Sequence, residues 1–193
     1  MIYLFTDFGS QSIYVGQLKA ALYRHASTVT QVDLFHDVRS YDIQAGAHLL
    51  QALVSRLPAG EGDTFVAVVD PGVGGTRRPV VMQADGNYFV GPDNGLLSVV
   101  AQRARERRFW EIIWRPESMS ASFHGRDLFA PIAARLAAGT LPGNAMQPLA
   151  ALDVILEADD FPRIIHIDHY GNAMTGMRKS SVPHAARLSI NGS

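Results

Sequence analysis

Three short polar segments hold the side chains of this chain that are best suited to chemistry: Thr6 to Gly9, Asp70 to Arg77, and Asp168 to Asn172. Each follows an apolar run typical of a buried strand. Ligands of open α/β sheets bind beyond the carboxyl ends of the strands, so we expect the segments to meet in one cleft. His124, in a glycine-containing turn ahead of a helix, adds an imidazole. With Asp70 and Arg77 it offers an acid, a base-like group and a fixed cation without any metal.

Other kinds of site are less well supported by the same residues. The glycine-rich run Asp70-Pro71-Gly72-Val73-Gly74-Gly75 lacks the Lys-Ser/Thr pair of a Walker sequence and the third glycine of a dinucleotide fingerprint. Asp7, Asp70, Asp93 and His124 could hold a metal ion, but they lack the spacing of compact metal-binding motifs. A structural role also stays open for Asp7, because aspartates at strand ends often form turns or cap helices.

The elements that must position these residues are indicated by hydrophobic periodicity. Asp42 is a suitable N-cap for a helix, and Asp85-Gly86 between two apolar runs predicts a β-hairpin. The order of elements predicts an α/β fold in which helices flank a mostly parallel sheet with one inserted hairpin. Strands are predicted at 2–5, 28–35, 65–69, 80–82, 88–90 and 109–114, and helices at 14–24, 43–57, 95–107 and 127–138.

The chain is predicted to divide near residue 150. Residues 1–150 form the predicted α/β catalytic domain, and the Gly- and Pro-containing stretch 139–151 is predicted to be a linker or a long connection. Residues 151–193 hold a predicted strand at 163–168 and at most two more, too few for an independent core. We expect them to pack on the first domain, pair with a neighbouring chain, or begin a β domain that is incomplete.

Composition narrows the classes of function. The 193 residues are 47% hydrophobic and carry a formal net charge of −1, so a long multidomain enzyme is excluded and no overall positive field favours nucleic acid. The absence of cysteine excludes disulfides, thiolate nucleophiles and thiolate metal sites. No apolar run reaches the ~18 residues of a membrane span, and the first residues lack the pattern of a signal peptide. We therefore expect a cytoplasmic protein that does not bind membranes.

Five motifs, in order along the chain, resemble those of the S-adenosyl-L-methionine (SAM) hydroxide adenosyltransferases, relatives of the fluorinase and chlorinase enzymes. The halide-using relatives have Tyr where this chain has His124 and Ser where it has Gly125, so hydroxide chemistry is expected. The motifs are Thr6-Asp7-Phe8-Gly9, Val68-Val69-Asp70-Pro71-Gly72-Val73-Gly74, Gly91-Pro92-Asp93-Asn94-Gly95-Leu96-Leu97, Phe123-His124-Gly125-Arg126-Asp127-Leu128-Phe129-Ala130-Pro131 and Ile167-Asp168-His169-Tyr170-Gly171-Asn172.

The resemblance implies an N-terminal α/β domain that binds SAM, a C-terminal β-barrel domain, and a homotrimer with sites between subunits. It implies that water attacks the ribose C5′ of SAM to give adenosine and methionine, with no metal or other cofactor. The implied catalytic set is Asp70, Arg77 and His124. The implied substrate-binding residues are Asp7 for the ribose hydroxyls, Asp168 for the ammonium, Asn172 for the adenine region, and Tyr41 and Phe123 as walls of the pocket.

Two other functions remain open at this stage. Family members usually continue beyond the motif at Asp168 to Asn172 by more residues than this chain has, so the C-terminal domain is expected to be incomplete. One alternative is therefore a protein that binds SAM or nucleosides without turnover. The other is a metal-dependent phosphohydrolase, which a chelator would distinguish from a metal-independent hydrolase.

Overall fold

A computed structural model describes residues 1–57, 60–183 and 185–186 of the chain. Seven strands form one sheet in the order β2-β1-β3-β5-β4-β6-β7, and β8 pairs with β9 in a separate two-stranded sheet. The strands are β1 (Ile2–Thr6), β2 (Gln31–Phe35), β3 (Thr64–Val68), β4 (Pro79–Ala84), β5 (Asn87–Pro92), β6 (Arg107–Ile112), β7 (Met146–Leu149), β8 (Phe161–Ile167) and β9 (Ala173–Gly176).

The large sheet is mixed, with parallel pairing at its centre. β1 pairs with β2 and β3, and β3 with β5, all in parallel. β4 is antiparallel to both β5 and β6, so those two strands run in the same direction, and β7 is antiparallel to β6. Five strands therefore share one direction and β4 and β7 oppose it. The prediction of a mostly parallel α/β sheet with an inserted hairpin is confirmed.

Helices cover both faces of this sheet. The helices are α1 (Ile13–His25), α2 (Ile43–Val54), α3 (Ser98–Arg103) and α4 (Ala130–Ala137). Ile2 and Leu4 of β1 face the core that holds α1 and α4, whereas Tyr3 and Phe5 face the core that holds α2 and α3. Strand β1 is thus buried on both faces, which explains why its sequence is largely apolar.

Local signals account for several boundaries. The Asp42 carboxylate accepts a hydrogen bond from the Ala45 backbone N–H at 3.0 Å, as predicted for the N-cap of α2. Asp85 and Gly86 both have positive φ, at 46° and 84°, which is the conformation of a two-residue hairpin turn. None of the helices in the described ranges is long and apolar enough to cross a bilayer.

Three predicted elements differ from the structure. The helix predicted at 95–107 is limited to α3, because Arg107 already belongs to β6, which pairs with β4. The stretch 139–151, predicted to be a connection, contains β7. The helix predicted at 127–138 is preceded by a single π-helical turn, Gly125–Phe129, that runs directly into α4.

The small sheet packs on α2. Phe161 and Ile165 of β8 and Met174 of β9 join the same core as Leu49 and Leu50 of α2. The division of the chain into two domains near residue 150 stays a prediction. Residue 184 and residues 187–193 of the predicted second domain lie outside the described residues.

Candidate active site

A cavity of about 200 Å³ lies beyond the carboxyl ends of β1 and β3. Two of the predicted polar segments meet there, because β1 and β3 are adjacent parallel strands whose following residues leave the sheet at the same edge. The cavity is lined by Asp7, Phe8, Tyr14, Ser40, Tyr41, Val68, Asp70, Val73, Ser122, Phe123, His124 and Gly125.

Asp70 and Arg77 form a bidentate ion pair at the two ends of the loop that joins β3 to β4. Arg77 Nε donates to both carboxylate oxygens of Asp70 at 3.1 and 3.0 Å, and Nη2 donates to Oδ2. The side chains are only 4% and 10% exposed, respectively. The guanidinium also lies over the Phe129 ring, 5.4 Å from its centroid. Arg77 is therefore fixed in position and in orientation, which a flexible ammonium group would not be.

His124 contacts the same guanidinium. Arg77 Nη2 lies 2.9 Å from His124 Nδ1, and because a guanidinium can only donate, Nδ1 accepts. The imidazole is 8% exposed, and burial together with the Arg77 charge lowers its pKa below the ordinary value of 6.5. At neutral pH His124 is accordingly uncharged, with its ring proton on Nε2.

A close backbone contact brings the two loops of this cluster together. Gly74 has a φ of +78°, and a Cβ at this position would lie 2.6 Å from the Ala121 carbonyl oxygen. Only glycine satisfies both conditions. The loop that carries Asp70 and Arg77 therefore lies directly against the segment that leads to His124.

Asp7 and Tyr41 form the opposite part of the cavity. The Tyr41 backbone N–H donates to Asp7 Oδ2 at 3.3 Å, and Tyr41 holds a φ of 66° although it has a side chain. Such strain is found where the surrounding structure enforces it, often at functional sites. Partial burial raises the pKa of Asp7, with a smaller contribution from the Asp70 charge, while backbone hydrogen bonds oppose the shift. The Tyr41 side chain is 74% exposed, at the rim.

A buried histidine holds the segment that carries Asp7. His36 Nδ1 lies 2.8 Å from the Thr6 hydroxyl, and His36 Nε2 lies 3.2 Å from Asp33 Oδ1. The Thr6 oxygen accepts from the Phe8 N–H, and the Gly9 N–H donates to the His36 carbonyl at 2.8 Å. The end of β1 is thus anchored to the end of β2 through His36.

Aromatic rings form one wall of the cavity. Phe8, Tyr14 and Phe123 meet edge to face, with centroids 5.3 to 6.1 Å apart. Arg126 covers the outer side of Phe123 at 4.9 Å and is paired with Asp127. Of these rings, only Phe123 was predicted as a wall of the pocket, and Phe8 and Tyr14 were not. Phe8 lies within the first motif, where it could have been found, whereas Tyr14 has no signal beyond its place at the start of a helix.

Asp168 and Asn172 do not line this cavity within the single chain. They close the turn between β8 and β9, where Asn172 Nδ2 donates to Asp168 Oδ2 at 2.7 Å and the Tyr170 and Asn172 backbone N–H groups donate to Oδ1. These hydrogen bonds lower the pKa of Asp168. The structure thus brings together Asp7, Asp70 and His124, with Arg77 bound to the last two. The substrate-binding roles of Asp168 and Asn172 stay predictions.

The four residues considered as metal ligands are not gathered at one point. The Asp93 carboxylate accepts hydrogen bonds from the Asp153 and Val154 N–H groups at 2.8 and 3.3 Å, tying the end of β5 to the segment before β8. Within the part of the chain that the structure describes, no group of three or more His, Asp or Glu is arranged to hold an ion. Independence from metal stays a prediction.

Comparisons with known proteins relate this chain to one family. Residues 2–146 match the family model described as the SAM hydroxide adenosyltransferase N-terminal domain. An (R)-S-adenosyl-L-methionine hydrolase of Salinispora arenicola is 39% identical over 199 residues, covering 95% of this chain and 75% of the relative. A fluorinase of Nocardia brasiliensis is 25% identical, covering 94% and 72%.

A solved structure shares the fold. The crystal structure of an uncharacterised conserved protein from Thermotoga maritima superimposes with a TM-score of 0.82 at 33% identity, covering 91% of this chain and 71% of that one. The family model spans well over half of the chain, and the fold and the motifs are consistent with that match. The chain belongs to the SAM hydroxide adenosyltransferase family.

Proposed function

We propose that this protein is an enzyme that hydrolyses SAM, with water attacking the ribose C5′ to release adenosine and L-methionine. The single observation that carries the proposal is that Arg77 binds Asp70 and His124 at once beside a cavity that also contains Asp7. The 39% identity to a SAM hydrolase, against 25% to a fluorinase, supports hydroxide rather than halide as the nucleophile.

In this mechanism the substrate supplies its own leaving group. The water oxygen forms a bond to C5′ while the C5′–S bond breaks, and the electron pair passes to the sulfonium sulfur, which leaves as a neutral thioether. No acid is needed at sulfur. The difficulty is to make water nucleophilic, so the site must place the water in line with the C5′–S bond and remove its proton.

The tautomer of His124 assigns separate tasks to the three side chains. Nδ1 is occupied by Arg77, so the Nε2–H can donate to the attacking water but cannot take its proton. Asp70 retains lone pairs beyond those used by Arg77 and is the proton acceptor in our proposal. Arg77 holds both groups in place and favours negative charge on the attacking oxygen.

The remaining residues would bind the substrate. Asp7 is placed to accept hydrogen bonds from both ribose hydroxyls, and the rings of Phe8, Tyr14 and Phe123 offer an apolar wall. As its proton is removed, the attacking water becomes negatively charged, and the sulfonium is positively charged. These opposite charges cancel as the O–C5′ bond forms, so an apolar, water-poor cavity favours the transition state. A second cavity, of about 360 Å³, is also lined by Arg77 and His124.

Two finer assignments belong to the proposal. The cavity of about 200 Å³ is smaller than the roughly 300 to 1,000 Å³ usual for small-molecule sites, which supports its completion by a second subunit of a homotrimer. Asp168 and Asn172 would then act in a neighbouring subunit's site. Action in the cytoplasm, without membrane or nucleic-acid partners, is likewise part of the proposal.

The test is to incubate the protein with SAM in water enriched in ¹⁸O and to analyse the products by mass spectrometry. We expect adenosine whose 5′-hydroxyl carries the label, together with unlabelled methionine. Binding of SAM by calorimetry with no adenosine would instead identify a binding protein without turnover. Labelled homoserine together with 5′-methylthioadenosine, or 5′-chloro-5′-deoxyadenosine as the main product in chloride buffer, would contradict attack of water at C5′.

A further inference from the structure

A separate cavity, which shares no lining residue with the candidate active site, is rich in positive charge. It has a volume of about 230 Å³ and lies between the carboxyl-terminal ends of α2 and α3 and the strand β9 with the residues that follow it. We call it the basic cavity and define it by His48, Arg56, Arg103, Arg178 and Lys179, which are among its lining residues.

Only part of this charge is balanced by carboxylates. Arg178 is paired with Asp160, Nε to Oδ1 at 2.9 Å. No ion pair joins Arg56, Arg103 or Lys179 to any acidic group within the described ranges. Arg103 uses one nitrogen, Nη2, to donate to the Ala158 carbonyl at 2.8 Å. Four cations therefore surround a small cavity, and the carboxylates of Asp159 and Asp160 lie near enough to Arg103 and Arg178 to balance part of their charge.

Two polar groups at the cavity lack hydrogen-bond partners. Arg103 Nε is a buried donor with no acceptor among the described residues. His48 is 4% exposed and lies flat against the Phe161 ring at 5.2 Å, and its ring nitrogens make no hydrogen bond to the described part of the chain. Buried donors are almost always satisfied, so the unpaired Arg103 Nε at this small cavity indicates a missing acceptor, and the free His48 ring nitrogens can add a further contact to it.

We propose that the basic cavity binds a phosphate group, either free or carried by a small molecule. A phosphate has the charge to match several cations and enough oxygens to accept from guanidinium forks and from His48 together. The inference is independent of the proposed function, because none of the five residues that define the basic cavity lines the candidate active site.

The position of the basic cavity predicts what such binding would do. His48 and Arg103 lie in α2 and α3 and Arg56 just after α2, whereas Arg178 and Lys179 follow β9. One bound phosphate would therefore join the two parts and hold the β8–β9 sheet, with its turn at Asp168 and Asn172, against α2. Phosphate binding would therefore stabilise the packing of the C-terminal segment on α2.

The test is calorimetric titration of the protein with inorganic phosphate and, separately, with methyl phosphate, at an ionic strength kept constant with sodium chloride. The variant Arg56→Gln/Lys179→Gln removes two exposed cations that make no ion pairs in the described structure. Arg24→Gln/Arg108→Gln removes two exposed arginines elsewhere and is the control matched in charge. We expect at least tenfold weaker binding in the first variant and unchanged binding in the control.

The titrations distinguish the two sources of the phosphate group and can also contradict the proposal. Binding of phosphate alone would assign the cavity to the free ion, and binding of both compounds would assign it to a phosphate group on a larger molecule. No saturable heat with either compound, or equal weakening in the two double variants, would overturn the proposal. Hydrogen exchange gives a second readout, since phosphate should slow the exchange of β8 and β9 amides in the parent protein and in the control variant only.

Discussion

His124 Nδ1 accepts a hydrogen bond from Arg77 Nη2 at 2.9 Å, so the arginine determines which nitrogen of the histidine carries the proton. The same Nη2, together with Nε, also donates to the Asp70 carboxylate. The three groups therefore act as a unit, and a change in one alters the position or the protonation of the others.

Replacing Arg77 by lysine should lower kcat by about a hundredfold or more, the usual scale for loss of one fixed electrostatic donor. Lysine keeps the charge but cannot bind Asp70 in a bidentate manner and His124 at the same time. Adenosine release at saturating SAM measures the effect. Arg78→Lys is the matched control, because Arg78 pairs with Asp153 outside the cavity and its replacement should leave kcat unchanged. Near-normal turnover in Arg77→Lys would remove Arg77 from the mechanism.

The rate of SAM hydrolysis should be constant at neutral pH and fall in acid. Burial and Arg77 lower the pKa of His124 below 6.5, so the imidazole stays neutral until the pH drops past that lowered value. A protonated imidazole cannot accept the hydrogen bond from Arg77, and the two positive charges would repel each other, so His124 would move away from Arg77. The pH profile of kcat measures this limb, whose midpoint we expect below pH 6.5. A midpoint above 7 would show that His124 is not held neutral by its surroundings.

The same shift predicts loss of stability in acid. A histidine whose pKa is lower in the folded protein binds protons more readily when unfolded, so protonation favours unfolding. The contribution of His124 to the free energy of unfolding is complete above about pH 6.5 and is lost as the pH falls through its lowered pKa. His25 and His48 have pKa values lowered in the same sense, so His124→Gln should remove only part of the slope. Urea unfolding between pH 5 and 8 compares the two proteins, and identical slopes would contradict the assignment.

His36 is predicted to be a positioning residue for Asp7. His36→Leu leaves the buried Thr6 hydroxyl without its histidine hydrogen-bond partner, which should cost about 1 to 3 kcal/mol of stability and loosen the segment that carries Asp7. We expect KM for SAM to rise several-fold while kcat changes less. His36→Asn can restore an acceptor near the position of Nδ1 and should recover part of the KM effect. A fall in kcat at constant KM would contradict this role.

Gly125 is predicted to exclude a side chain for steric reasons. A Cβ at this position would lie 3.0 Å from the Phe8 ring and 3.5 Å from the Phe123 ring. Gly125→Ser should therefore displace the aromatic wall and cost roughly 1 to 3 kcal/mol, as overpacking usually does. Gly16→Ser is the control, since nothing lies within 4 Å of a Cβ there and the site is on a helix as well. Equal stability of the two variants would show that Phe8 moves aside freely.

The strands β1 and β3, and the site residues Asp7 and Asp70 that follow them, could be predicted from sequence because their signals are local. Continuous apolar runs identified β1 and β3, and Asp7 and Asp70 follow directly from where those strands end. The strand β7 was missed for a physical reason. It is short, lies at the edge of the sheet and contains Pro148. An edge strand tolerates proline, but in a sequence proline usually indicates a loop.

The turn at Asp168 shows a different limit of sequence reasoning. An aspartate that binds an ammonium group and one that closes a turn by hydrogen bonds to the next residues have the same local sequence. In the single chain Asp168 closes the turn. Its distance from Asp7 depends on how β8 packs on α2, and that packing is not encoded in the motif itself.

The π-helical turn at Gly125–Phe129 determines how a change in the length of this helix affects His124. The Ala130 N–H donates to the Gly125 carbonyl, five residues back, so this turn contains one residue more than an α-helical turn. The extra residue is taken up within this one wide turn, so deleting one residue between 125 and 129 would convert it to a regular α-helical turn without rotating the preceding segment away from α4. His124 would then stay beside Arg77. A deletion of one residue elsewhere in α4 has no such turn to absorb it and would rotate the residues on its two sides by about 100° relative to each other.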